Sequence, residues 1–360
     1  MTENASMTDL FNMIYEEQMS LFGKKEVFFI DEVQNVDGFE MFVRRFQEKG
    51  LKIFLTGSNA NLLSMELGTK LSGRHLRMDL TPFSFREYLD FIGLKIDNGS
   101  IYETEKRVLI RKAFNDYLDK GGMPEYLKYG DQEILLRTYE DIVVKDIAVR
   151  YSIDNIKGLK DLYNYLISNL TNRFTYNSLR KVVDIASGTT VKNYVHYLEL
   201  ANFCQVVIGY DNSLKKQMNA QKKFYLTDHG FLRPISTMLS RDYGKVLENI
   251  ILRNMSCKGK VFFHGTGWEC DIIIIRQNKV QAAVQVTWKM NDANRKREIN
   301  GLVKTMDAFK LDLGYLITND HEETIETSGK IIKVIPAWKF ILTEPLADGL
   351  PPHSSPQGSS

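Results

Sequence analysis

The sequence predicts an α/β protein of several modules, and three observations carry this prediction. Two short apolar runs without strict alternation, Val27–Ile30 and Ile53–Leu55, are typical of buried, neighbouring parallel strands. Between residues 175 and 226, a short helix, a tight turn and a second helix precede two strand-like runs. Beyond residue 242, a helix, three strands, a second helix and further strands are predicted. A chain of 360 residues, 43% hydrophobic and 26% charged, is long enough for two or three domains.

The first module alternates between helical and strand-like segments. Apolar residues at helical spacing predict helices over 8–19, 39–49 and 61–71, which come before, between and after the two strands. Pro82 interrupts the pattern before a further helix over 85–91. A strand, a helix and a second strand in this order are typical of a parallel βαβ unit.

Polar residues follow both strands of this module. Asp31-Glu32 comes directly after the first strand, and Thr56-Gly57-Ser58-Asn59 comes directly after the second. The carboxyl ends of parallel strands line the crevice in which α/β sheets bind ligands, so we expect these side chains to face one pocket. Leu71-Ser72-Gly73-Arg74 adds a guanidinium group further along the chain.

These residue types suit phosphoryl transfer. An Asp at a strand end can hold the water shell of a magnesium ion, and a neighbouring Glu can polarise the attacking water. Ser58 or Asn59 can sense a terminal phosphate, and Arg74 can neutralise charge on the transferred group. The alternative is that Asp31 and Glu32 cap a turn and that Arg74 is an ordinary surface cation. The order of the features favours the nucleotide site.

Four segments of this region carry a resemblance to a known family. They are Phe28–Gln34, Phe54–Asn59, Leu71–Arg74 and Leu80–Glu87. In this order they resemble the motifs of the prokaryotic AAA-type ATPases of the P-loop NTPase superfamily. Within these, they are most similar to the subgroup with a C-terminal domain of unknown function that ends in a restriction-endonuclease-like fold. The resemblance extends from about residue 27 to about residue 340.

The resemblance implies roles for the polar residues. Asp31 and Glu32 would form the Walker B motif, with Asp31 at the magnesium ion. Ser58 or Asn59 would be sensor 1, and Arg74 would be the candidate arginine finger. The implied cofactors are ATP and Mg²⁺. The implied partners are DNA and further copies of the chain, which would associate through the ATPase module.

The family's phosphate-binding loop is missing upstream of Asp31. Such ATPases hold phosphates with a Gly-rich turn that carries Lys and Ser or Thr. Met1–Glu26 has no such turn, since Gly23-Lys24-Lys25 has one glycine and no hydroxyl. We interpret the chain as lacking the first strand and this loop, through truncation, a misplaced start or decay. We therefore do not expect ATP hydrolysis by this chain alone.

The middle of the chain is predicted to be helical. Apolar periodicity indicates helices over 103–118, 133–149 and 158–170. Gly121-Gly122-Met123-Pro124 ends the first of them and turns the chain, and the resembled family carries a similar segment here. We interpret this part as the junction between the ATPase and C-terminal modules.

The segment that follows has the layout of a DNA-binding module. Helices are predicted over 175–183 and 189–200, and strands over 203–210 and 222–226. This layout resembles a winged helix, whose second helix enters a major groove and whose wing contacts phosphates. The residues expected at a nucleic acid are Thr189, Thr190, Lys192, Asn193, Lys215, Lys216, Lys222 and Lys223. The alternative is that the module serves only in domain packing.

The last module has the element order of a restriction-endonuclease-like fold. The predicted elements are a helix over 244–252, strands over 261–264, 270–275 and 280–286, a helix over 294–309, and strands over 314–318 and 331–335. Glu269 and Asp271 are two residues apart and share a face of their strand. With Glu248 they resemble the acidic half of a metal-dependent nuclease site.

The other half of that nuclease site is altered. The family pattern has Glu-x-Lys on the third strand, where this chain has Gln285-Val286-Thr287. A neutral Gln is a poorer ligand for a hard cation than a carboxylate, and Thr lacks the charge of Lys. Lys289 is a candidate replacement if the strand continues to it. We favour an inactive nuclease fold that is kept for structure or for holding DNA.

Composition excludes several other classes. A net charge of +2 implies no overall polybasic or acidic partner. Three widely spaced cysteines without a CxxC motif fit a reducing cytosol and argue against structural zinc. The N-terminus does not have the pattern of a signal peptide, and no apolar run approaches the ~20 residues that span a bilayer. We therefore expect a cytoplasmic protein without a membrane partner.

The predicted organisation has five parts. They are a partial AAA-type module over 1–92, a helical linker or lid over 93–157, a winged helix over 158–230, a restriction-endonuclease-like module over 240–343 and a disordered tail over 344–360. Three functional hypotheses follow. The first is an ATP-binding protein that couples nucleotide state to DNA or protein binding. The second is a DNA-binding or scaffold protein without catalysis. The third is an active metal-dependent nuclease.

Overall fold

The computed structural model describes residues 7–33, 36, 38–57, 76–97, 99–236 and 242–343. The chain divides into two compact units. The first comprises Met1–Thr81, Glu140–Ile156 and Asn193–Phe203, and the second comprises Pro82–Tyr139, Lys157–Lys192 and Cys204–Ser360.

The first unit contains a two-stranded parallel sheet. Its elements in chain order are α1 (Met7–Phe22), β1 (Val27–Ile30), α2 (Phe39–Glu48) and β2 (Lys52–Leu55). The strands pair in parallel from Val27 opposite Lys52 to Ile30 opposite Leu55. The prediction of two neighbouring parallel strands with a helix between them is confirmed.

One face of this sheet is covered and the other is exposed. Phe28 and Ile53 pack with Phe42 and Phe46 of α2, and Phe46 is fully buried. On the opposite face, Phe29 is 77% exposed and its ring stacks on Phe54 with centroids 4.9 Å apart. The expectation that both strands are buried is therefore wrong for this face. The reason is that α1 and α2, the described helices around this sheet, pack on its other side.

The segments Glu140–Ile156 and Asn193–Phe203 of the first unit are mostly helical. The predicted helix over 133–149 begins as α6 (Glu133–Asp141) and continues as a π-helix over Ile142–Val149. Within the unit, Tyr151 stacks on Tyr197 with ring centroids 3.6 Å apart.

The second unit begins with helices. Its N-terminal helices are α3 (Phe85–Phe91), α4 (Thr104–Lys120), α5 (Pro124–Tyr129) and the start of α6. Phe85 and Leu89 of α3 belong to the same buried cluster as Phe114 and Leu118 of α4. By this packing α3 belongs to the second unit.

A small antiparallel sheet follows in the second unit, with helices of which the one over Gly188–Leu200 continues into the first unit from Asn193. The elements are α7 (Ile156–Ser168), β3 (Arg173–Phe174), α8 (Tyr176–Arg180), α9 (Gly188–Leu200), β4 (Cys204–Ile208), α10 (Leu214–Asn219) and β5 (Lys222–Leu226). The strand order is β3-β5-β4, so β5 is central. A short helix, α11 (Leu232–Ile235), comes next. The sequence indicated β4, β5 and both helices around the turn, but not the two-residue β3.

A larger mixed sheet completes the second unit. Its elements are α12 (Tyr243–Ser256), β6 (Lys260–His264), β7 (Cys270–Arg276), β8 (Lys279–Val286), α13 (Asp292–Phe309), β9 (Leu313–Thr318), β10 (Glu323–Thr327), β11 (Lys330–Pro336) and α14 (Ala337–Thr343). The strand order is β10-β11-β9-β8-β7-β6. Strands β8, β9 and β11 run parallel, whereas β6, β7 and β10 are antiparallel to their neighbours.

Helices cover both faces of the six-stranded sheet. On one face, Leu247 of α12 and Ile272 of β7 lie in one buried cluster. On the other face, Ile273 of β7 and Leu302 of α13 lie in another. Consecutive residues of β7 therefore face opposite helices, as the pleat of a strand requires. The sequence predicted this helix–strand–helix order but not β10 or α14.

The two sheets of the second unit meet at the edge strand β6. The chain leaving β4 makes an isolated parallel bridge between Gly209 and Phe263. The amide of Tyr210 donates to the carbonyl of Phe263 over 2.7 Å. This contact brings β5, the centre of the small sheet, to the acidic end of β7.

None of the described helices combines the length with the apolar composition that a membrane span requires.

Candidate functional site

The ends of β1 and β2 bring polar groups together in the first unit. The hydroxyl of Thr56 donates to the carboxylate of Asp31, and the amide of Glu32 donates to the same hydroxyl over 3.2 Å. Backbone bonds continue the pairing, because Thr56 donates to Ile30 and Val33 donates to Thr56. The prediction that the polar ends of the two strands meet is confirmed for Asp31 and Thr56.

Glu32 adopts an unusual backbone conformation at this point. Its φ of 48° lies in the left-handed region, which costs a non-glycine residue on the order of 1 kcal/mol. The π-helix adds a further acid, Asp146, near Glu32. Partial burial raises the pKa of Asp146, Arg150 lowers it, and the negative charge of Glu32 raises it further. Asp146 was not predicted, because its helical segment carries no motif.

Three predicted site residues lie outside the described residues. They are Ser58, Asn59 and Arg74. Their expected roles as sensor and arginine finger remain predictions.

The chemistry of the described residues fits the magnesium half of a nucleotide site. Asp31 offers a carboxylate and Thr56 a hydroxyl, and both side chains are exposed. Hard oxygen atoms of this kind are the ligands that Mg²⁺ prefers, usually together with several waters. A bound Mg²⁺ would neutralise phosphate charge, with Asp31 holding its water shell.

A second polar cluster lies in the second unit, between the two sheets. The ammonium of Lys223 on β5 lies 2.9 Å from Glu248 Oε1, 3.0 Å from Asp271 Oδ1 and 3.9 Å from Glu269 Oε1. The hydroxyl of Tyr225 donates to Glu248 over 2.6 Å. The predicted convergence of Glu248, Glu269 and Asp271 is therefore observed, around a lysine that the sequence did not associate with them.

Arg173 contributes a second cation to this cluster. It is the direct cross-strand partner of Lys223 in the β3–β5 pair. Its guanidinium lies 2.8 Å from Glu269 and also donates to the carbonyl of Gly265 over 3.1 Å. Cross-strand partners point to the same face of a sheet, so the small sheet presents two cations side by side.

Polar groups around Asp271 complete the cluster. Asp271 accepts a hydrogen bond from the amide of Val286 over 3.0 Å. Gln285 accepts from the amide of Asp271 over 3.2 Å and donates to Glu298 over 2.7 Å. Arg297 pairs with Glu298 at 2.6 Å. Gln285 therefore works as a neutral bridge in this network.

Burial governs the electrostatics of the central pair. Burial raises the pKa of Glu248, and the ammonium of Lys223 offsets this only in part. Burial opposes the charged form of Lys223, but Asp271 and Glu248 outweigh it and raise the pKa of the lysine. Burial and the adjacent Glu248 also raise the pKa of the Tyr225 hydroxyl.

The predicted metal site needs correction. Among the described residues, no group of three or more His, Cys, Asp or Glu side chains is arranged to hold a metal ion. At Glu248, Glu269 and Asp271 the reason is that the Lys223 ammonium occupies the point where their oxygens converge. Lys289 is not on the same strand either, because β8 ends at Val286 and Lys289 is exposed beyond it.

The predicted nucleic-acid residues fall into two groups. Thr189, Lys192 and Asn193 are exposed near the start of α9, and Thr190 is half-buried and hydrogen-bonded to Ser187. Lys215 and Lys216 are exposed on α10.

Lys222 and Lys223 are a correction to this prediction. They were expected at a nucleic acid, but both side chains are buried on β5. Lys222 donates to the carbonyl of Ala220. Burial is the main cause that lowers its pKa, and the positive charge of the nearby Lys192 lowers it further. The ammonium of Lys223 is paired with Glu248 and Asp271. Neither ammonium is presented to a nucleic acid in this structure.

Two family profiles match the sequence. A profile described as "AAA domain" matches residues 2–89, and a profile described as "Domain of unknown function (DUF8612)" matches residues 111–242. The N-terminal part of the chain thus matches an AAA domain, and the part that follows matches a domain of unknown function.

Two relatives match most of the chain. Uncharacterized protein MJ1544 of Methanocaldococcus jannaschii is 30% identical over 355 residues, covering 93% of this chain and 78% of that protein. An uncharacterized protein of Haemophilus influenzae is 27% identical, covering 91% of this chain and 81% of its own length. The chain belongs to the family of these archaeal and bacterial proteins. No solved structure matches the sequence significantly.

Proposed function

We propose that this protein binds ATP with Mg²⁺ at the ends of β1 and β2 and couples nucleotide state to the binding of DNA or a protein. The observation that carries the proposal is the hydrogen bond between Asp31 and Thr56, at the adjacent ends of two parallel strands. The match of an AAA domain to residues 2–89 supports it. The carboxyl ends of parallel strands are the usual ligand sites of α/β sheets.

Each residue has a distinct role in this proposal. Asp31 holds the water shell of the magnesium ion, and Thr56 fixes the orientation of the Asp31 carboxylate. Glu32, held in a left-handed conformation, is the group that polarises water. Ser58 or Asn59 senses the terminal phosphate, and Arg74 balances its charge. Binding, rather than hydrolysis by this chain alone, is the activity that we propose.

Nucleotide binding tests this function. A fluorescent ATP analogue is titrated with and without Mg²⁺ into the wild-type chain, Asp31→Asn and the control Asp90→Asn, which changes another exposed aspartate. We expect Mg²⁺-dependent binding that Asp31→Asn weakens at least about tenfold and Asp90→Asn leaves unchanged. Equal binding by all three proteins, or none by the wild type, contradicts the proposal.

A second function, nucleic-acid binding, is favoured by the helices around the small sheet. We infer that α7 to β5 form a winged helix, because the order helix, strand, two helices and two strands is that of this module. Thr189 and Lys192 are exposed at the start of its second helix, and Lys215 and Lys216 are exposed between its last two strands. These groups suit contacts to phosphates and base edges.

Salt dependence tests DNA binding. Binding of a fluorescent duplex is measured between 50 and 200 mM salt, roughly the range over which counterion release changes affinity strongly. We expect Lys192→Ala and a Lys215→Ala/Lys216→Ala variant each to weaken binding and reduce the salt slope. The control Lys279→Ala, at an exposed position of another strand, leaves both unchanged. Affinity that does not respond to salt opposes this function.

We also infer that residues 240–343 have a restriction-endonuclease-like fold without nuclease activity. The support is the order of α12, three antiparallel strands, α13 and a parallel strand. Gln285 replaces the expected acid and bridges to Glu298. A cleavage assay with Mg²⁺ or Mn²⁺ tests this inference, since cutting that Asp271→Ala abolishes would restore the nuclease hypothesis.

A further inference from the structure

The small sheet carries two cations on one face, and the larger sheet carries the carboxylates that meet them. We propose that Lys223 and Arg173 form an electrostatic latch that holds the small sheet on the six-stranded sheet and keeps divalent cations away from Glu248, Glu269 and Asp271. This latch stands independently of the nucleotide site, which lies in the other unit.

The geometry of Lys223 is that of a bound cation. Its ammonium lies 2.9 Å from Glu248 and 3.0 Å from Asp271, which are ordinary distances for charge-assisted hydrogen bonds. The ring of Phe263 lies beneath it, with the ammonium 5.5 Å from the ring centroid, so an aromatic face adds to the attraction. Lys223 is 3% exposed, so its charge is balanced within the protein and hardly at all by water.

Arg173 closes the open side of the cluster. Glu269 is the most exposed of the three acids, and Arg173 lies 2.8 Å from it, whereas Lys223 is 3.9 Å away. Lys223 neutralises the buried carboxylates of Glu248 and Asp271, and Arg173 neutralises the exposed carboxylate of Glu269. Both belong to the β3–β5 ladder and are cross-strand partners. Because the two residues are paired across neighbouring strands, a movement of the small sheet would carry both cations together.

A divalent cation would need the same oxygen lone pairs. Carboxylates hold Mg²⁺ at about 2.0–2.1 Å and Ca²⁺ at about 2.3–2.6 Å, closer than they hold the ammonium here. The oxygens of Glu248 and Asp271 that would do this are the ones bonded to Lys223. Metal and lysine therefore exclude each other. Movement of the small sheet away from β7 would release all three carboxylates at once, so access of a metal depends on the position of that sheet.

Manganese binding tests the latch directly. Thermal unfolding and calorimetric titration with Mn²⁺ are carried out on the wild-type chain, Lys223→Met, Lys223→Met/Asp271→Asn and the exposed-lysine control Lys279→Met. We expect Lys223→Met to unfold about 10 °C lower than the wild type and to bind Mn²⁺ at least about tenfold more tightly. Mn²⁺ should then restore several degrees of its melting temperature by mass action. Adding Asp271→Asn should abolish this gain, and Lys279→Met should resemble the wild type.

Two outcomes overturn the latch. One is Mn²⁺ binding by the wild type that equals that of Lys223→Met and is lost in Lys223→Met/Asp271→Asn, which shows that Lys223 does not exclude the metal. The other is a folded Lys223→Met variant that binds no Mn²⁺, which shows that the three carboxylates do not form a metal site when the lysine is removed. If Lys223→Met does not fold with or without Mn²⁺, the same measurements are made on Arg173→Met, which removes the cation from the exposed carboxylate of Glu269. Arg173→Met should bind Mn²⁺ more tightly than the wild type, and this gain should depend on Glu269. If there is no such gain, the latch is rejected.

Discussion

Lys223 and Asp271 lie on different sheets, yet the ammonium of one is 3.0 Å from the carboxylate of the other and both side chains are buried. The pair joins β5 of the small sheet to β7 of the larger one. Glu248 shares the same ammonium at 2.9 Å. A charge that is buried in this way stays favourable only while its partners remain in place.

Removing the lysine should destabilise the second unit strongly. Lys223→Met leaves Glu248 and Asp271 buried without their cation, and breaking a buried pair of this kind costs about 3–5 kcal/mol. Denaturant unfolding followed by circular dichroism measures the free energy of unfolding. The exposed control Lys215→Met should change it by less than about 0.5 kcal/mol. Equal effects of the two substitutions would show that the cluster does not contribute to stability.

The same variant should respond to pH in a particular direction. Burial already raises the pKa of Glu248, and the Lys223 cation opposes that rise more than the hydrogen bond from Tyr225 does. Without the cation, the pKa of Glu248 should rise further. A raised carboxyl pKa favours the folded state at low pH and loses that contribution as pH rises. The stability difference between Lys223→Met and the wild type should therefore be smaller at pH 5 than at pH 8. A difference that does not change with pH contradicts this explanation.

Asp228 should give the second unit a separate pH dependence. Its carboxylate accepts from the amides of Gly230 over 2.6 Å and Gly122 over 2.7 Å, and burial raises its pKa to about 6 against those hydrogen bonds. The contribution to stability is present below the unfolded value of 3.8 and is lost as pH rises through about 6. The loss amounts to about 3 kcal/mol.

A comparison with Asp228→Asn isolates that titration. The variant loses an acceptor for one of the two amides and should be destabilised by about 1–3 kcal/mol at neutral pH. Its free energy of unfolding should vary less between pH 4 and pH 7 than that of the wild type. If the two proteins show parallel pH profiles, Asp228 does not titrate in this range.

The turn at Gly121 should be intolerant of any side chain. Its φ is +77°, and a Cβ there would lie 2.0 Å from the Asp228 carboxylate and 2.7 Å from the amide of Gly230. Gly130 is the matched control, with a φ of +72° and open space around its Cβ position. Gly130→Ala should cost about 1 kcal/mol for its backbone conformation alone. Gly121→Ala should cost clearly more by thermal unfolding, and similar costs would show that the crowding relaxes easily.

The sequence predicted the elements well where periodicity and turn residues agree. The strand at 222–226 and the helix at 85–91 have the expected bounds, and most strands of the larger sheet differ by one residue. The edge strand β10 and the two-residue β3 were missed. Short edge strands with charged and polar residues carry little apolar signal, and β10 alternates half-buried and exposed positions.

The candidate sites were predictable in part. The meeting of Asp31 with Thr56 follows from two adjacent parallel strands, so local pattern was sufficient. The role of Lys223 was not predictable, because lysine is rarely buried and its partners lie 25 and 48 residues away along the chain. A signal was present in the alternation of Lys223 and Tyr225 on one face of a strand, which places two polar groups towards a core.

The hydroxyl of Thr56 should matter for ligand binding but not for stability. Thr56→Val keeps the shape of the side chain and removes the hydrogen bond to Asp31. Because the site is exposed, the free energy of unfolding should change by less than about 1 kcal/mol. Affinity for ATP with Mg²⁺ should fall several-fold, as the carboxylate loses its fixed orientation. Unchanged affinity in a folded variant would remove Thr56 from the site.

Isothermal titration of ATP into the wild-type chain and Asp31→Asn, each with Mg²⁺ and with a chelator, tests the central claim most directly. The account predicts binding to the wild type that requires Mg²⁺, and a loss of that requirement together with most of the affinity in Asp31→Asn. Melting temperatures of the two proteins without ligand should agree. Wild-type binding that is the same with the chelator, or that Asp31→Asn leaves intact, would contradict it.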